Sequence, residues 1–554
     1  MAYLSGTPVL ILKEGTEQRK GRDALKNNIT ASKIIAETVR TTLGPRGMDK
    51  MLVDSLGDVT ITNDGATILD EIDVQHPAAK MLVEVAKTQD DEVGDGTTTA
   101  VVLAGELLKK AEKLITQKIH PTTLVAGLKK GADKAREILK NISIKVDIEG
   151  PEITNATITS MNSKNVSGVR GKFAEIAVSA TKKVQELREE KPFVDIEQIQ
   201  IIKKKGKSLL DTELIDGIII DKEIVHAGMP KQVHDAKVAL LNVALEIKKT
   251  EFDSEIRIND PTQVQAFLDE EEKILRGMVE KVKNSGATFI ACQKGIDDAA
   301  QHFLAKAGIA AVRRVKKSDM EKIGRSTGAK VIMNLDDLNP SDIGYAKLIE
   351  EKKIADDKMI FVTGTKELKS VSILIRGGVE HVVDEADRSM HDALCVAADI
   401  IKDNYVVAGG GAIEVELAKL LKSYAKSIGG REQFAIDALA ETLEIIPKTL
   451  AENAGLDPID ILAELRAKHE SDGKNYGINV ISGKVEDMFQ SGVLEPMVVK
   501  LQAIKSAVEA VNMILRIDDV IAAKASEAPP MPPGGMPPGM GGMGGMGGMP
   551  PGMM

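Results

Sequence analysis

Apolar residues recur at helical spacing near the N-terminus and predict a run of helices there. The period of the first helix is carried by Leu25, Ile29, Ile35, Val39 and Leu43. It stops at Gly44-Pro45, a pair that ends helices. Two β-rich runs at 51–53 and 59–62 flank a Gly-Asp turn, so we predict a hairpin. Two further helices are predicted, over 78–89 and 100–113.

The C-terminal part of the chain returns to the helical period. It predicts an amphipathic helix that spans 417–428 and ends at Gly429-Gly430, and a second helix over 434–450. Residues 529–554 contain only proline, glycine and methionine, with no apolar face to offset the entropy of ordering. We therefore predict a disordered tail over 528–554.

Between these helical regions, short β-rich runs alternate with helical spacers, which predicts an α/β domain. The runs lie at 217–220, 238–247, 288–292, 330–333, 359–362 and 371–375. A charge-dense insert at 248–283 contains a helix with Asp260 at the N-cap, Pro261 at the first helical position and Gln263 completing a capping box. The pattern leaves two alternatives open: a surface helix packed on the α/β core, or a projecting arm.

Composition excludes several classes of protein. A length of 554 residues predicts three or four domains. The net charge of −10 and the absence of tryptophan argue against nucleic acid as a partner. The basic clusters at 203–207 and 313–317 sit among acidic segments and predict solvated faces. No apolar run approaches the ~18 residues of a membrane span, and the N-terminus lacks the features of an export signal.

Only two cysteines occur, Cys292 and Cys395, and they are far apart in sequence. They give neither a disulfide framework nor the CxxC spacing of a zinc site. A reducing cytoplasm is the predicted location.

The strongest chemical motif is GDGTTT at 94–99. Glycines let a backbone approach oxyanions, threonines add hydroxyl donors, and Asp95 offers the hard oxygen that Mg²⁺ prefers. The helix predicted to follow would present its N-terminus, which favours anions. Taken alone, six such residues are more often a capped helix than a phosphate site.

Other catalytic motifs are absent. No GxxxxGK[ST], strand-linked GxGxxG, GxSxG or HExxH occurs. The remaining possibility is phosphoryl transfer that depends on carboxylates, such as hydrolysis of ATP. It needs a metal ion on the phosphates and a group that orients water. The candidate carboxylates are Asp64, Asp95 and Asp392.

Several long motifs occur in the order typical of one protein family, and that family relates the three carboxylates to each other. They are TLGPRGMDKML (42–52), TNDGATIL (62–69), HPAAKM (76–81), VGDGTTTAVVLAGELL (93–108), AGGGAIEVEL (408–417), LAENAGLDPIDIL (450–462) and the GGM tail. Together they resemble a chaperonin subunit over nearly the whole chain. The insert at 248–283 is similar to the helical protrusion of the group II branch, the archaeal thermosome and its eukaryotic cytosolic relatives.

The resemblance implies a multidomain fold. It implies an α-helical equatorial ATP-binding domain (1–147 and 406–527), an α/β intermediate hinge (148–215 and 371–405) and an α/β apical domain (216–370). The apical domain would bind substrate proteins and carry the protrusion as a built-in lid at about 248–283.

The resemblance also implies the roles of particular residues toward ATP and Mg²⁺. The nucleotide loops would comprise Thr42, Leu43, Gly44, Pro45, Asp95, Gly96, Thr97, Thr98, Thr99, Gly410 and Gly411. Asp95 would hold Mg²⁺, while Asp64 and Asp392 would position the attacking water. Glu495 would lie near the ribose, Asn479 would line the adenine, and Lys164 would sense the γ-phosphate.

The implied partners are identical or homologous subunits in a stacked double ring, and non-native client proteins. Neither nucleic acid, membrane nor a separate co-chaperonin lid is expected. Brief strands at 9–12 and 514–517 would pair with the 51–62 hairpin of a neighbouring subunit. A monomeric kinase or ATPase with the same pocket, and a silent scaffold that only binds, are the alternatives.

Overall fold

A computed structural model describes residues 2–4, 7–9, 17–164, 166, 168–247, 261–365 and 370–522 of the chain. These residues divide into two compact units, one from 1–24 with 517–554 and one from 25–516. The predicted tail (528–554) and the capping residue Asp260 lie outside the described residues. None of the described helices is long and apolar enough to cross a membrane.

The N-terminal third is mainly helical. Its elements are β1 (Ala2–Leu4), β2 (Thr7–Val9), β3 (Glu17–Lys20), α1 (Gly21–Arg40), β4 (Lys50–Val53), β5 (Val59–Thr62), α2 (Gly65–Glu71), α3 (Pro77–Val93), α4 (Thr97–Thr116), α5 (Pro121–Ile142) and β6 (Ile144–Lys145). The predicted hairpin is confirmed as the antiparallel pair β4–β5. The helices predicted at 78–89 and 100–113 are confirmed as α3 and α4.

Helices and strands then alternate. The next elements are α6 (Pro151–Ser160), α7 (Arg170–Val184), β7 (Glu186–Arg188), β8 (Lys191–Phe193), β9 (Ile199–Lys205) and β10 (Glu213–Ile215). The central elements are β11 (Gly217–Ile220), β12 (Gln232–Leu241), α8 (Pro261–Asn284), β13 (Phe289–Cys292), α9 (Asp298–Lys306), β14 (Ala310–Val312), α10 (Lys317–Thr327), β15 (Val331–Ile332), β16 (Gly344–Ile354) and β17 (Asp357–Thr365).

The chain then returns to helices. The remaining elements are β18 (Val371–Gly377), α11 (Glu380–Asp403), β19 (Tyr405–Ala408), α12 (Ala412–Ile428), α13 (Glu432–Leu443), α14 (Ile445–Asn453), α15 (Pro458–Glu470), β20 (Tyr476–Asn479), β21 (Lys484–Asp487), β22 (Leu494–Pro496), α16 (Met497–Leu515) and β23 (Asp519–Ala522).

The central strands form a mixed seven-stranded sheet in the order β11-β17-β16-β12-β13-β14, with β15 also paired to β12. Parallel pairing of β12, β13 and β14 needs crossovers, and α8 and α9 supply them. The strand predicted at 371–375 belongs elsewhere: it is β18, the middle of a separate sheet ordered β10-β18-β9. Its seven residues are all buried, as expected for a central strand covered on both faces.

The hydrophobic cores group distant parts of the chain. The largest core packs residues from 25–139 against residues from 407–515. A second core joins 161–199 with 371–394, while two more lie within 218–362, on opposite faces of the central sheet. Burial of apolar surface therefore closes the two helical ends of the chain on each other and leaves the centre as an insertion between them.

Two predicted elements are wrong in detail. The strand predicted at 514–517 is instead the end of α16, and the strand β23 that follows pairs with β3 of the same chain. The single helix predicted over 434–450 is two helices, α13 and α14, that part at Glu444. Pro447 explains the break, because proline lacks an N–H and its ring crowds the carbonyl four residues earlier.

The insert helix α8 packs on the α/β core, as one of the two alternatives for its sequence predicted. Its C-terminal half packs on the central sheet through Leu275, Val279 and Val282, which are buried. Residues 265–274 are exposed, and Phe267 and Leu268 are about half accessible to solvent (47% and 51%). The helix is thus anchored on the sheet by its C-terminal half and exposed to solvent over 265–274, and the projecting arm stays a prediction.

Candidate functional site

Every residue predicted for nucleotide contact or catalysis lines one cavity in the second unit. The lining contains Thr42, Leu43, Gly44, Pro45, Asp64, Asp95, Gly96, Thr97, Thr98, Thr99, Lys164, Asp392, Gly410, Gly411, Asn479 and Glu495. These positions come from widely separated stretches of sequence, and the fold brings them together.

The phosphate-loop candidate joins two helices through two left-handed glycines. Gly94 ends α3 with φ 63°, and Gly96 caps the start of α4 with φ 77°. No side chain caps α4, so the backbone N–H groups of its first turn have no acceptor within the helix. The buried hydroxyl residues Thr97 and Thr99 lie in that turn. This end of α4 suits an anion.

Asp64 is held in place by hydrogen bonds from two elements. Its carboxylate caps α2 by accepting from the Thr67 N–H (2.9 Å) and the Thr67 hydroxyl (2.8 Å). The Thr97 hydroxyl donates to it from α4 at 3.2 Å. Burial acts to raise the pKa of Asp64, but the Lys164 ammonium and these hydrogen bonds outweigh it and lower that pKa. Asp64 is therefore a fixed, ionised acceptor.

Asp95 projects from the loop, with one carboxylate oxygen accepting from the Gly96 N–H at 2.6 Å. The enclosing protein raises the pKa of its carboxyl, and the hydrogen bond from Gly96 only partly offsets this. Gln89 supports the loop by donating to the Asp95 carbonyl (2.9 Å) and to the Val499 carbonyl (3.2 Å). Gln89 and the Gly96 N–H together fix the loop that carries the Asp95 carboxylate.

Asp392 reaches the cavity from α11 and pairs with Lys164 at 2.9 Å, both side chains being buried. Burial acts to lower the pKa of Lys164, but Asp392, Asp64 and Glu385 together raise it, so this lysine stays charged. Burial raises the pKa of Asp392 well above its usual range; Lys164 opposes the rise, while Asp64 and Asp95 reinforce it. As the carboxylate paired with Lys164, Asp392 is a base of raised proton affinity in a cleft, which suits it to accept a proton.

The opposite wall of the cavity is built from glycines and a buried ion-pair network. A Cβ on Gly410 would lie 2.7 Å from the Ile478 carbonyl oxygen, so the turn between β19 and α12 can approach β20 this closely only with glycine here. Beside it, Lys500 pairs with Glu495 (2.6 Å) and Glu414 (2.8 Å). Burial acts to lower the pKa of Lys500, but the two glutamates raise it.

Asn479 bonds mainly to its own turn. Its side chain accepts from the backbone N–H groups of Ile481 and Ser482 and donates to Glu486. The amide of Asn479 therefore shapes the turn after β20 at the edge of the cavity.

Several lining residues escaped prediction from the sequence. They are Asn63, Thr159, Ser160, Asn162, Ser163, Ile446, Leu450, Ile478, Val480, Ile481, Met488, Val493 and Lys500. The available signal was strongest for Lys500, a lone charge beside Val498 and Val499 at the start of an apolar helix. Asn63 donates to the Ser163 carbonyl and so ties the Asp64 loop to the segment that carries Lys164.

The residues present fit Mg²⁺ bound together with a phosphate. Among the residues that the structure describes, no group of three or more His, Cys, Asp or Glu side chains could enclose a metal ion. Mg²⁺ commonly takes one or two carboxylates and completes its shell with substrate phosphate oxygens and water. Asp95 beside the open end of α4 meets that requirement.

A second cavity lies on the other side of the phosphate-loop candidate, between α3 and α11. It is lined by Asp90, Gly94, His391, Cys395 and Asp399, among others. One oxygen of Asp399 is buried without a hydrogen-bond partner, and burial raises the pKa of this carboxyl to about 8. The folded protein therefore holds Asp399 protonated at neutral pH.

This shift predicts a pH-dependent stability. A pKa raised on folding means that the folded state binds the proton more tightly, so stability falls as pH rises from about 4 to about 8. Asp399→Asn, which mimics the neutral acid, should flatten the decline of Tm over about pH 5 to 8. Differential scanning fluorimetry of both proteins in the same buffers measures the decline of Tm, with Asp472→Asn, at an exposed aspartate far from Asp399 in sequence, as the control. Parallel declines in wild type and Asp399→Asn would contradict the assignment.

Comparison with known proteins identifies the family. A profile of the TCP-1/cpn60 chaperonin family matches residues 35–525. The chain belongs to this chaperonin family. It is 59% identical to thermosome subunit beta of Thermococcus kodakarensis over 528 residues (95% of this chain and 97% of the relative). It is 58% identical to a thermosome subunit of Pyrococcus horikoshii over 528 residues (95% and 96%).

A solved structure supports the same conclusion. An open-state monomer of a group II chaperonin from Methanococcoides burtonii matches with a TM-score of 0.60 and 45% identity, over 77% of this chain and all of that one. The chain is thus an ATP-dependent, ring-forming chaperonin subunit with ATPase activity. The multidomain fold and the activity expected from the motifs are confirmed.

Proposed function

We propose that the cavity between α4, α11, α12 and β20 is the site where this chaperonin binds and hydrolyses ATP with Mg²⁺. The observation that carries the proposal is the convergence of all the predicted residues on one cavity. The N-terminus of α4 takes the phosphates, and Asp95 takes the metal ion. The apolar residues Ile478, Val480 and Met488 pack the base, while Glu495 serves the ribose.

In this site, bound Mg²⁺ would supply charge neutralisation on the phosphates. Asp64 and Asp392 share the space next to Lys164, which is where a water molecule would attack. Asp64, ionised and fixed by Thr67 and Thr97, orients that water. Asp392 accepts its proton, because burial and neighbouring carboxylates raise its proton affinity. Lys164, kept cationic by these carboxylates, faces the developing charge.

The chaperonin's division into domains is proposed from the hydrophobic cores. The core that joins 25–139 with 407–515 corresponds to the equatorial domain, and the cores within 218–362 correspond to the apical domain. α11 contributes to the core between them, so Asp392 belongs to the intermediate domain. A hinge movement of that domain would bring Asp392 to the nucleotide and couple hydrolysis to closure.

The projecting half of α8 is proposed as the built-in lid, so no separate co-chaperonin cap is needed. Replacing 251–272 with a short Gly/Ser linker removes the exposed residues 265–272 and keeps the anchor residues Leu275, Val279 and Val282. ATPase activity and assembly should persist, while protection of an enclosed client from protease is lost, because the chamber stays open. Linker replacement of the exposed turn at 189–190, between β7 and β8, is the control for the effect of loop engineering itself. Full protection after removal of 251–272 would contradict the lid assignment.

Assembly is proposed to be a stacked double ring of identical or homologous subunits that encloses non-native proteins. The hairpin β4–β5 supports an interface, because Met51, Val53 and Leu56 are exposed apolar residues on it (66%, 62% and 86%). We propose the cytoplasm as the location, consistent with Cys292 and Cys395 being free thiols. Neither nucleic acid nor membrane has a role in this proposal. Native mass spectrometry would give the number of subunits per ring.

A further inference from the structure

The first glycine of the GDGTTT motif faces away from the proposed nucleotide cavity. Asp95, Gly96 and the three threonines line that cavity, whereas Gly94 lines the second cavity, on the α11 side. Its backbone N–H donates to the Asp90 carbonyl at 2.8 Å and closes α3. The glycine at position 94 is therefore not explained by the close approach of a phosphate.

What Gly94 meets is Cys395 of α11. A Cβ added to Gly94 would lie 2.2 Å from the Cys395 Sγ and 2.4 Å from its Cβ, distances that real atoms do not adopt. Rotating the Cys395 side chain would move only the sulfur, because the Cβ is fixed to the helix. Cys395 is 6% exposed, so the contact is tightly closed.

The contact lies one helical turn from a residue of the proposed reaction. Cys395 follows Asp392 by three residues on α11, and residues three apart lie on the same face of a helix. Gly94 in turn precedes Asp95 directly. The contact thus joins the element that carries the proposed proton acceptor to the loop that carries the proposed metal ligand.

We propose that Gly94 and Cys395 form a stop that sets how closely α11 approaches the phosphate loop, and that both are positioning residues for hydrolysis. The inference rests on the proposed roles of Asp392 and Asp95. Gly94 is required as glycine because any side chain would hold α11 off the loop. A displacement of about 1 Å in a reacting group costs about 100-fold in rate.

The test is Gly94→Ala in the full-length chaperonin, measured as steady-state ATPase kinetics. We expect kcat to fall about 100-fold while KM for ATP stays within about threefold, since the nucleotide wall is untouched. Gly328→Ala is the matched control: Gly328 also ends a helix with positive φ (78°) and bonds four residues back, but nothing lies within 4 Å of an added Cβ. Gly328→Ala therefore measures only the backbone strain of an alanine in the left-handed conformation, and its kcat should stay within about threefold of the wild-type value.

A second-site variant separates the contact from misfolding. Cys395→Gly removes both atoms that the methyl group introduced by Gly94→Ala would strike. Gly94→Ala/Cys395→Gly should therefore regain at least about tenfold in kcat over Gly94→Ala. If Gly94→Ala alone fails to fold, the double variant should still assemble and hydrolyse ATP, and that recovery is then the test.

Two results would overturn the inference: wild-type kcat in Gly94→Ala, or no rescue in the double variant. Asp392→Ala measured alongside separates this inference from the proposed function on which it rests. Normal turnover in Asp392→Ala refutes the proposed site itself, whatever the Gly94 variants show.

Discussion

Asp392→Ala is expected to reduce ATP turnover by about 10²–10⁴-fold, the usual contribution of a positioned proton acceptor. Binding of ATP should persist, because Asp392 approaches from α11 whereas the phosphate and base walls belong to α4, α12 and β20. The loss should therefore appear in kcat with little change in KM. Lys164 keeps a carboxylate partner in Asp64, so the variant is not left with an isolated buried charge.

The measurement is single-turnover hydrolysis beside equilibrium binding of a fluorescent ATP analogue. Asp387→Ala is the matched control, since Asp387 lies on the same helix, forms an ion pair with Lys203 at 3.1 Å and does not line the cavity. It should hydrolyse ATP at close to the wild-type rate. Wild-type turnover by Asp392→Ala would remove that residue from the reaction.

Asp95→Asn is expected to lower kcat/KM by about 10²–10³-fold, because stabilisation of phosphate charge by a metal ion is worth several kcal/mol. The substitution preserves the shape of the side chain and its acceptor for the Gly96 N–H. It removes the negative charge that a hard cation requires. Higher Mg²⁺ should recover part of the activity, so the Mg²⁺ concentration for half-maximal rate should rise.

A Mg²⁺ titration of ATPase activity measures this shift, and Asp91→Asn serves as its control. Asp91 is exposed, four residues earlier in sequence, and lines the second cavity instead. An Asp95→Asn protein whose half-maximal Mg²⁺ concentration matches that of the wild type would show that the metal is held elsewhere. A reduced rate with an unshifted titration would point to a disturbed loop.

Sequence patterns predicted the elements near the site well because local chemistry dictates them. The period from Leu25 to Leu43, the Gly-Asp turn of the hairpin and the glycines around Asp95 each act within a few residues. The meeting of Asp64 and Asp95 with Asp392 was available only from the family resemblance, since nothing local relates residues hundreds of positions apart. Their roles in hydrolysis stay predictions.

What the sequence could not provide depends on packing. Lys500 stands out in the sequence as a charge at the start of an apolar helix, but only the fold shows that its partners are Glu414 and Glu495. The halves of α8 share one amphipathic pattern, and only the position of the central sheet decides which half is covered. Gly94 belongs to a phosphate motif in the sequence, yet in the fold it contacts Cys395, a residue of the distant helix α11.

The core that closes the two helical ends on each other also constrains how the chain folds during synthesis. Residues 25–139 emerge from the ribosome long before their partners at 407–515. At about 5–20 residues per second, the apolar faces of the first helices wait roughly 20 to 75 s for the second half of their core. The central α/β insertion, whose strands lie within 217–365, can complete its sheet in that interval. A subunit that shelters other unfinished chains thus passes through a prolonged unfinished stage of its own.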